Sequence, residues 1–313
     1  MKRFPYLVIA ALIAIFALSF STTLAQTTLI SIVATTGMIG DVAQNIGGDL
    51  VTVTTLMGPG VDPHLYRATE SDVEAFLNSN IIFYNGLHLE ARMVEILEQI
   101  NAVPVGDALP DDMVRKSLNY DAPDPHIWMD AHRWRYVAQR IRDTYVAYDS
   151  ANADTYIANA DAYLTQLDEL NDYAHQQINR IPAEQRVLVT AHDAFFYFGE
   201  AYGMDVFAPQ GISTESEAGV EDIRRTIDIL VERQIPAIFV ESSVPPDIVE
   251  AIVAGAEDQG HEIAIGGSLF SDAMGEPGTE GGTYIGMIKH NVDTIVTALT
   301  GEAAPEVTPE ALS

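Results

Sequence analysis

The chain has 313 residues, of which 48% are hydrophobic and 8% aromatic; this is enough apolar material for one large or two ordinary domains and excludes global disorder. Its 45 acidic residues outnumber the 16 basic ones and give a formal net charge of −29, so we expect no nucleic-acid partner. The sequence contains no cysteine, which excludes disulfide bonds, thiolate metal sites and a thiol nucleophile.

The first 25 residues have the three regions of a secretory signal. Lys2 and Arg3 supply the charged region, an apolar run covers residues 6–20, and small residues precede Gln26. We therefore expect residues 1–25 to be a signal peptide and the mature protein to be secreted across the cytoplasmic membrane, into a periplasmic or other extracytoplasmic space. The alternative is an uncleaved anchor helix, because the apolar run approaches the length that spans a bilayer. Without a cysteine, we expect no lipid anchor.

Short β-branched runs alternate with helical patterns along the chain, which predicts an α/β fold with parallel sheets. The predicted strands are 29–34, 51–56, 81–84 and, more weakly, 103–105 in the first half, and 187–190, 206–208, 237–240 and 263–265 in the second. Four strands thus fall in each half. A last amphipathic helix is predicted over residues 284–299, ahead of a flexible tail at 301–313.

One long amphipathic helix is predicted between the two halves, over residues 153–181. Apolar side chains recur in it at alternating spacings of four and three, and it ends before Pro182, since proline disfavours helical geometry in the residue before it. We therefore expect two lobes, 26–152 and 182–300, joined by this one rigid helix. Each lobe would be a mainly parallel sheet flanked by helices.

Four short segments place a metal-type ligand beside a turn or after a strand. They are Asp62-Pro63-His64, Asp124-Pro125-His126, Ala191-His192-Asp193 and Phe270-Ser271-Asp272. Three imidazoles and a carboxylate can close around one divalent ion, because these donors satisfy zinc and, with more oxygen character, manganese. Three of the segments follow predicted strands, and α/β sheets bind ligands at the carboxyl ends of their strands. The two prolines restrict the backbone beside the histidines, which favours a preformed site.

Each of these residues also has an ordinary structural interpretation. An Asp-Pro-His turn is usually an Asx-type turn with an exposed imidazole, His192 can be a capped core histidine, and Asp272 can be a solvated loop carboxylate. Asp130 is expected to cap the helix that follows it. Asp193 is expected to be a helix cap or a hydrogen-bond acceptor behind the ligands. His88 competes for a ligand position, but we assign it to packing or to a place behind the ligands.

Several uncommon stretches occur in the order in which one known family has them. They are Gly58 to His64, Asn85 to Glu90, Asp124 to Asp130, Thr190 to Phe195, Ile238 to Ser243 and Leu269 to Gly275. Over nearly the whole mature chain the sequence resembles the solute-binding proteins of bacterial zinc/manganese ABC importers, most closely the TroA-like members. The resemblance implies one ion between two lobes. Its ligands would be His64 and His126 from the first lobe and His192 and Asp272 from the second.

The resemblance also implies a function. The protein would capture Zn²⁺ or Mn²⁺, with Fe²⁺ as a further candidate cargo, and deliver it to a membrane permease powered by a cytoplasmic ATPase, acting as a monomer and not as an enzyme. Some manganese-selective members carry glutamate where this chain has His192, and many zinc-specialised members carry a histidine-rich loop that residues 109–124 lack, so the choice of ion stays open.

Three alternatives stand beside this interpretation: a secreted metal-dependent hydrolase, a purely structural metal site and an adhesive surface protein. Three histidines with an open fourth position are also a catalytic arrangement. However, the sequence has no His-Glu-x-x-His helix, and no general base is apparent beside the ligand set. Four protein ligands would leave no ready position for an activated water, which favours a binding protein over a hydrolase.

Overall fold

The computed structural model describes residues 29–116 and 122–302. The predicted signal peptide, residues 1–25, lies outside the described residues, and so does the predicted tail beyond residue 302. Among the helices of the described ranges, none is both long enough and apolar enough to cross a membrane.

Strands and helices alternate through the described residues. The strands are β1 (Ile30–Thr36), β2 (Val51–Met57), β3 (Ile81–Tyr84), β4 (Val103–Pro104), β5 (Val187–Val189), β6 (Asp205–Phe207), β7 (Ala237–Glu241) and β8 (Ala264–Leu269). The α-helices are α1 (Gly37–Gly47), α2 (Glu70–Leu77), α3 (Val94–Gln99), α4 (Ala131–Tyr148), α5 (Ala153–Ile178), α6 (Phe196–Tyr202), α7 (Val220–Arg233), α8 (Asp247–Asp258) and α9 (Tyr284–Thr300). The predicted α/β class is confirmed.

The first four strands form one parallel sheet in the order β2-β1-β3-β4. Ile32 in β1 pairs with Val53 in β2 and with Ile81 in β3, so β1 is hydrogen-bonded on both sides. Such a central strand is covered on both faces and is apolar on both. Because the strands are parallel, their carboxyl ends lie at one edge of the sheet, where the Asp62-Pro63-His64 segment follows β2.

The second half contains four strands, as predicted, but they form two pairs instead of one continuous ladder. β5 pairs with β6 and β7 pairs with β8, both in parallel, and β5 lies beside β7. The register of β7 and β8 shifts between Ile238 and Val240, which pair with Ile265 and Ser268. Gly267 lies in this interval with a φ of 144°, a conformation that glycine adopts more readily than other residues. The bulge therefore depends on a residue without a side chain.

Helix α5 is the predicted connecting helix, and its apolar stripe is buried. The stripe consists of Tyr156, Ala160, Tyr163, Leu167, Leu170, Ala174 and Ile178. α5 packs against α1 and α4 from the first half and against α9 from the second, and one continuous hydrophobic core runs through all of them. The helix ends at Ile178 because residues 179–181 form a turn before Pro182. The boundaries 26–152, 153–181 and 182–300 stay a prediction.

Helix α4 begins at its predicted cap. The side chain of Asp130 accepts hydrogen bonds from the backbone N–H groups of His132, at 2.8 Å, and Arg133, at 3.2 Å. These bonds satisfy amide donors that have no partner within the helix. The predicted apolar positions are all buried: Trp134, Val137, Ile141 and Tyr145. The cap thus fixes the start of α4 close to the segment that carries His126.

Candidate metal centre

The structure brings the four predicted ligand residues together. His64 lies in the turn after β2, and His126 precedes a 3₁₀ turn at Ile127–Met129 that leads into α4. His192 follows β5, and Asp272 follows β8. All four are buried, with exposed fractions between 0 and 2%. One ligand atom from each residue lies within 4.8 Å of those of the other three.

Four of the distances between these atoms, which as a set lie within 4.8 Å of one another, are close to those of a coordination shell. The Nε2 atoms of His64 and His126 lie 3.3 Å apart. Oδ1 of Asp272 is 3.5 Å from Nε2 of His126, while its Oδ2 is 3.7 Å from Nε2 of His64 and 3.2 Å from Nε2 of His192. Ligands about 2.0–2.2 Å from a tetrahedral ion are separated by about 3.3–3.6 Å. Both oxygens of Asp272 face the cluster, so four or five donors can reach one ion.

Several of the converging atoms have no hydrogen-bond partner among the described residues. These are Nε2 of His192 and both carboxylate oxygens of Asp272. A buried polar atom that lacks a partner costs about 1–3 kcal/mol, and more when it is charged. A divalent cation would satisfy these atoms together, because it accepts the nitrogen lone pair and neutralises the carboxylate. The donor set therefore suits a zinc or manganese ion.

Two carboxylates behind the cluster orient two of the imidazoles. Glu241, at the end of β7, accepts a hydrogen bond from Nδ1 of His192 at 2.5 Å and another from its backbone N–H at 2.8 Å. Asp124 accepts from Nδ1 of His126 at 2.7 Å and from its backbone N–H at 3.0 Å. When Nδ1 is the donor, Nε2 presents its lone pair to the centre. When each ring is neutral, its carboxylate therefore keeps the remaining proton on Nδ1 and leaves Nε2 as the ligand atom.

The two Asp-Pro-His segments form the same turn but make different second contacts. In each, the aspartate accepts the backbone N–H of the histidine, at 2.8 Å for Asp62 and 3.0 Å for Asp124. The predicted Asx-type geometry is therefore present, although both imidazoles are buried and not exposed. Asp124 also binds the ring of its histidine, whereas Oδ2 of Asp62 accepts a hydrogen bond from the hydroxyl of Thr214 at 2.5 Å.

Burial and charge set different protonation states within the cluster. Burial lowers the pKa of His64 to about 3, so this ring is neutral. Burial also acts to lower the pKa of His192, but the carboxylates of Glu241 and Asp272 outweigh it and raise that pKa well above 6.5. Burial would raise the pKa of Asp272, yet the imidazoles, His192 foremost, hold it well below its usual range. A proton on His192 thus balances the negative charges of Glu241 and Asp272.

Comparison with known proteins identifies the family of the chain. The family model described as ZnuA, zinc-uptake complex component A, periplasmic, matches residues 32–298. The chain belongs to this family. The manganese-binding lipoprotein MntA of Bacillus subtilis is 43% identical over 274 residues, which cover 86% of this chain and 90% of that protein. The zinc-binding protein TroA of Treponema pallidum is 45% identical over 272 residues, covering 86% and 88%.

A solved structure supports the same assignment. The periplasmic zinc-binding protein TroA from Treponema pallidum matches with a TM-score of 0.84 and 43% sequence identity, over 87% of this chain and 99% of that one. Both the predicted family and the α/β fold with parallel sheets flanked by helices are therefore confirmed. Members of the ZnuA family are substrate-binding components of transport systems, and these relatives give no support to the hydrolase alternative.

The comparisons contradict the predicted lack of a lipid anchor. MntA of Bacillus subtilis and the manganese ABC transporter substrate-binding protein PsaA of Streptococcus pneumoniae are both named lipoproteins. PsaA is 31% identical over 280 residues, covering 86% of this chain and 89% of that protein. Because these relatives are named lipoproteins, the prediction of a protein without a lipid anchor, which was based on the lack of cysteine, is wrong. The lack of cysteine in the sequence carries no conclusion about anchoring.

The predictions for residues around the four ligand residues were less accurate. His88, predicted to pack or to lie behind the ligands, is exposed and lines a cavity of about 220 Å³ beside His64. Asp193 is not a cap, since α6 begins at Phe196 without a side-chain cap; burial, and then the charge of Asp124, raise the pKa of Asp193 to about 8. The sequence assigned no role to Glu241. The sequence feature that could have indicated a role is its position, a carboxylate at the end of a buried apolar strand.

Proposed function

We propose that this protein is the extracytoplasmic component of an importer and binds one Zn²⁺ or Mn²⁺ ion through His64, His126, His192 and Asp272. The observation that carries this proposal is the convergence of four buried donor residues on one point, where the two oxygens of Asp272 and Nε2 of His192 have no hydrogen-bond partner among the described residues. The names of the relatives MntA and TroA describe manganese and zinc binding, and both ions suit a set of three imidazoles and one carboxylate.

Capture of the ion follows from the charges in the site. His64 is neutral and can coordinate directly, whereas His192 must lose its proton before its Nε2 becomes a ligand. An arriving cation takes over the role of that proton, because it lies among the same carboxylates. Asp272 stays ionised throughout and supplies one or two oxygens. The protein's donors fill the shell, so we propose binding without chemical transformation and no enzymatic role.

Release requires the ligands to separate. His64 and His126 precede α5 in the chain, whereas His192 and Asp272 follow it. A partner that moves one group of ligands relative to the other would open the shell. The relative PsaA is named as an ABC transporter substrate-binding protein. We therefore propose that a membrane permease with its cytoplasmic ATPase is this partner, and that the binding protein acts as a monomer.

Calorimetric titration of the chelator-stripped protein tests the proposal. We expect one tight site for Zn²⁺ or Mn²⁺ and a loss of affinity by orders of magnitude in His192→Ala. His132→Ala is the matched control, because His132 is an exposed histidine on the first turn of α4 and should leave binding unchanged. Absence of binding by the wild-type protein would refute the proposed function, and unchanged affinity in His192→Ala would refute the ligand set.

A further inference from the structure

One loop of the second half connects the His192 segment to the His64 segment. We call residues 211–216 the clasp loop. Its base is paired with the His192 segment: the backbone N–H of Gln210 donates to the carbonyl of Ala191 at 3.1 Å, and that of Asp193 donates to the carbonyl of Gly211 at 3.3 Å. The base of the loop therefore has a fixed position relative to one of the proposed ligands.

The shape of the clasp loop is held from inside by one buried side chain. Gln210 is 6% exposed, and its Nε2 donates to the carbonyl of Ser216 at 2.8 Å and to that of Thr214 at 3.3 Å. Both carbonyls belong to the loop itself, so its two sides are tied together. Gln210 thus connects the beginning of the loop, beside the His192 segment, to its end.

The tip of the clasp loop bonds to the first half of the chain. The hydroxyl of Thr214 donates to Oδ2 of Asp62 at 2.5 Å, and Oδ1 of the same carboxylate accepts the backbone N–H of His64 at 2.8 Å. One carboxylate thus holds the loop with one oxygen and the backbone of a proposed ligand with the other. Beside it, Arg92 donates from Nε to Glu215 at 2.9 Å and from a guanidinium nitrogen to the carbonyl of Leu65 at 3.1 Å.

The clasp loop also lies over the side of the site from which His64 can be reached. A cavity of about 220 Å³ is lined by His64, by the exposed residue His88, and by Ile212, Ser213 and Glu215 from the loop. His64 itself is only 2% exposed. An ion that leaves on this side therefore passes the loop, and the Thr214–Asp62 bond connects that loop to the turn that carries His64.

We propose that Asp62 is a positioning residue that couples the clasp loop to His64, and that the Thr214–Asp62 bond sets the rate at which the bound ion leaves. This inference rests on the proposed function and adds to it a part of the chain that controls release. The Arg92–Glu215 pair contributes less, because its side chains are 28% and 44% exposed and an exposed pair is weakened by solvent and salt.

The test measures ion release and ion association separately. The protein is loaded with Zn²⁺ or Mn²⁺, mixed rapidly with an excess of chelator, and followed until the ion has transferred. Thr214→Val keeps the shape of the side chain and removes the hydroxyl; we expect release to be about ten- to a hundredfold faster, the factor that a hydrogen bond to a charged group is worth. Association should change by less than about threefold, because local bonds act mainly on dissociation.

Two further variants separate coupling from a general loss of structure. Thr214→Ser retains the hydroxyl and should release the ion at close to the wild-type rate. Arg92→Gln should speed release by about two- to fivefold at low salt and by less at high salt, as expected for an exposed ion pair. Glu221→Gln is the control, since Glu221 is exposed, pairs with Arg224 within α7 and makes no bond to the clasp loop among the described residues; it should change neither rate.

The outcomes distinguish this inference from the function on which it rests. If the wild-type protein binds neither ion, both are refuted. If it binds an ion and Thr214→Val releases it at the wild-type rate, the proposed function stands and the clasp is refuted. If Thr214→Ser releases the ion as fast as Thr214→Val, the hydroxyl is not the coupling group and the inference is also refuted. Fast release by Thr214→Val alone supports it.

Discussion

The substitution Glu241→Gln tests whether the carboxylate that holds His192 increases the affinity of the site for its ion. Glu241 is 6% exposed, and both of its oxygens bind His192, one through the ring and one through the backbone. Glutamine has nearly the same shape, but it is uncharged and replaces one acceptor oxygen with an NH₂ donor. The ring of His192 therefore loses a charged partner while the packing around it changes little.

Two effects determine the expected change in affinity. Loss of a carboxylate behind a coordinating histidine weakens metal binding by about ten- to a hundredfold, which is about 1.4–2.7 kcal/mol. Loss of the same charge also removes a main cause that raises the pKa of His192, so less proton must be displaced when the ion binds. The first effect should dominate at pH 8.5, and the second should reduce the deficit as the pH falls.

The sign of the pH dependence follows from these protonation states. In the wild-type protein the raised pKa of His192 means that ion binding releases about one proton near neutrality, so affinity should rise with pH by up to about tenfold per unit. His64, with its pKa near 3, is already neutral and should add nothing to this slope. In Glu241→Gln the slope should flatten.

The assay is calorimetric titration at several pH values between 6 and 8.5, in pairs of buffers that differ in ionisation enthalpy, so that affinity and proton release are obtained together. Glu90→Gln is the matched control. Glu90 is 2% exposed and binds Thr35, Asn85 and Gly86, but none of the four proposed ligands. It should lower stability without changing the pH slope. An unchanged slope and affinity in Glu241→Gln would refute the reasoning about His192.

Three further predictions concern stability. The pKa of Asp193 is about 8 in the folded protein and about 3.8 in the unfolded chain, so the free energy of unfolding should fall as the pH rises between these values. In thermal unfolding, Asp193→Asn should be more stable than the wild-type protein at pH 7.5, by on the order of a few kcal/mol. Near pH 4 the two proteins should be equally stable. Leu167→Ala, which empties a fully buried position of α5, should cost about 2–5 kcal/mol in denaturant unfolding, whereas the exposed Gln166→Ala should cost less than about 0.5. Removal of the ion with a chelator should lower Tm by about 10 °C, the effect of a ligand at about a thousand times its Kd, and leave the far-ultraviolet circular dichroism unchanged; loss of that signal would indicate a structural metal.

Local patterns account for the parts of the fold that the sequence predicts. β3 occupies the predicted residues 81–84, and α9 extends the predicted helix by a single residue, to Thr300. These segments have a strong hydrophobic period and clear boundaries, such as Thr283, whose hydroxyl caps α9 by accepting the N–H of Gly286. The ligand segments could be found for the same reason, since each combines a metal-type side chain with a turn or a strand end.

The remaining features depend on contacts between distant segments. The role of Glu241 arises because β7 lies beside β5, which brings its last residue within 2.5 Å of His192 across 49 positions of sequence. Thr214 and Asp62 are 152 positions apart, and neither sequence neighbourhood indicates the other. His88 has no local feature that reports its exposure, except a run of positive φ values from Gly86 to His88 that only the structure reveals.

The shared core of the two halves limits how the ion can be released. Buried side chains of α1, α4, α5 and α9 form one continuous apolar cluster, so a wide separation of the halves would expose part of that core to water. Exposed apolar surface costs about 25 cal/mol per Å², and a few hundred Å² would already cost as much as a typical domain's entire stability. Movement of the His64 turn and the clasp loop exposes far less, because both already lie at the surface cavity. A small movement of one ligand group relative to the other, made at the His64 turn and the clasp loop, is therefore the less costly route for the release proposed above.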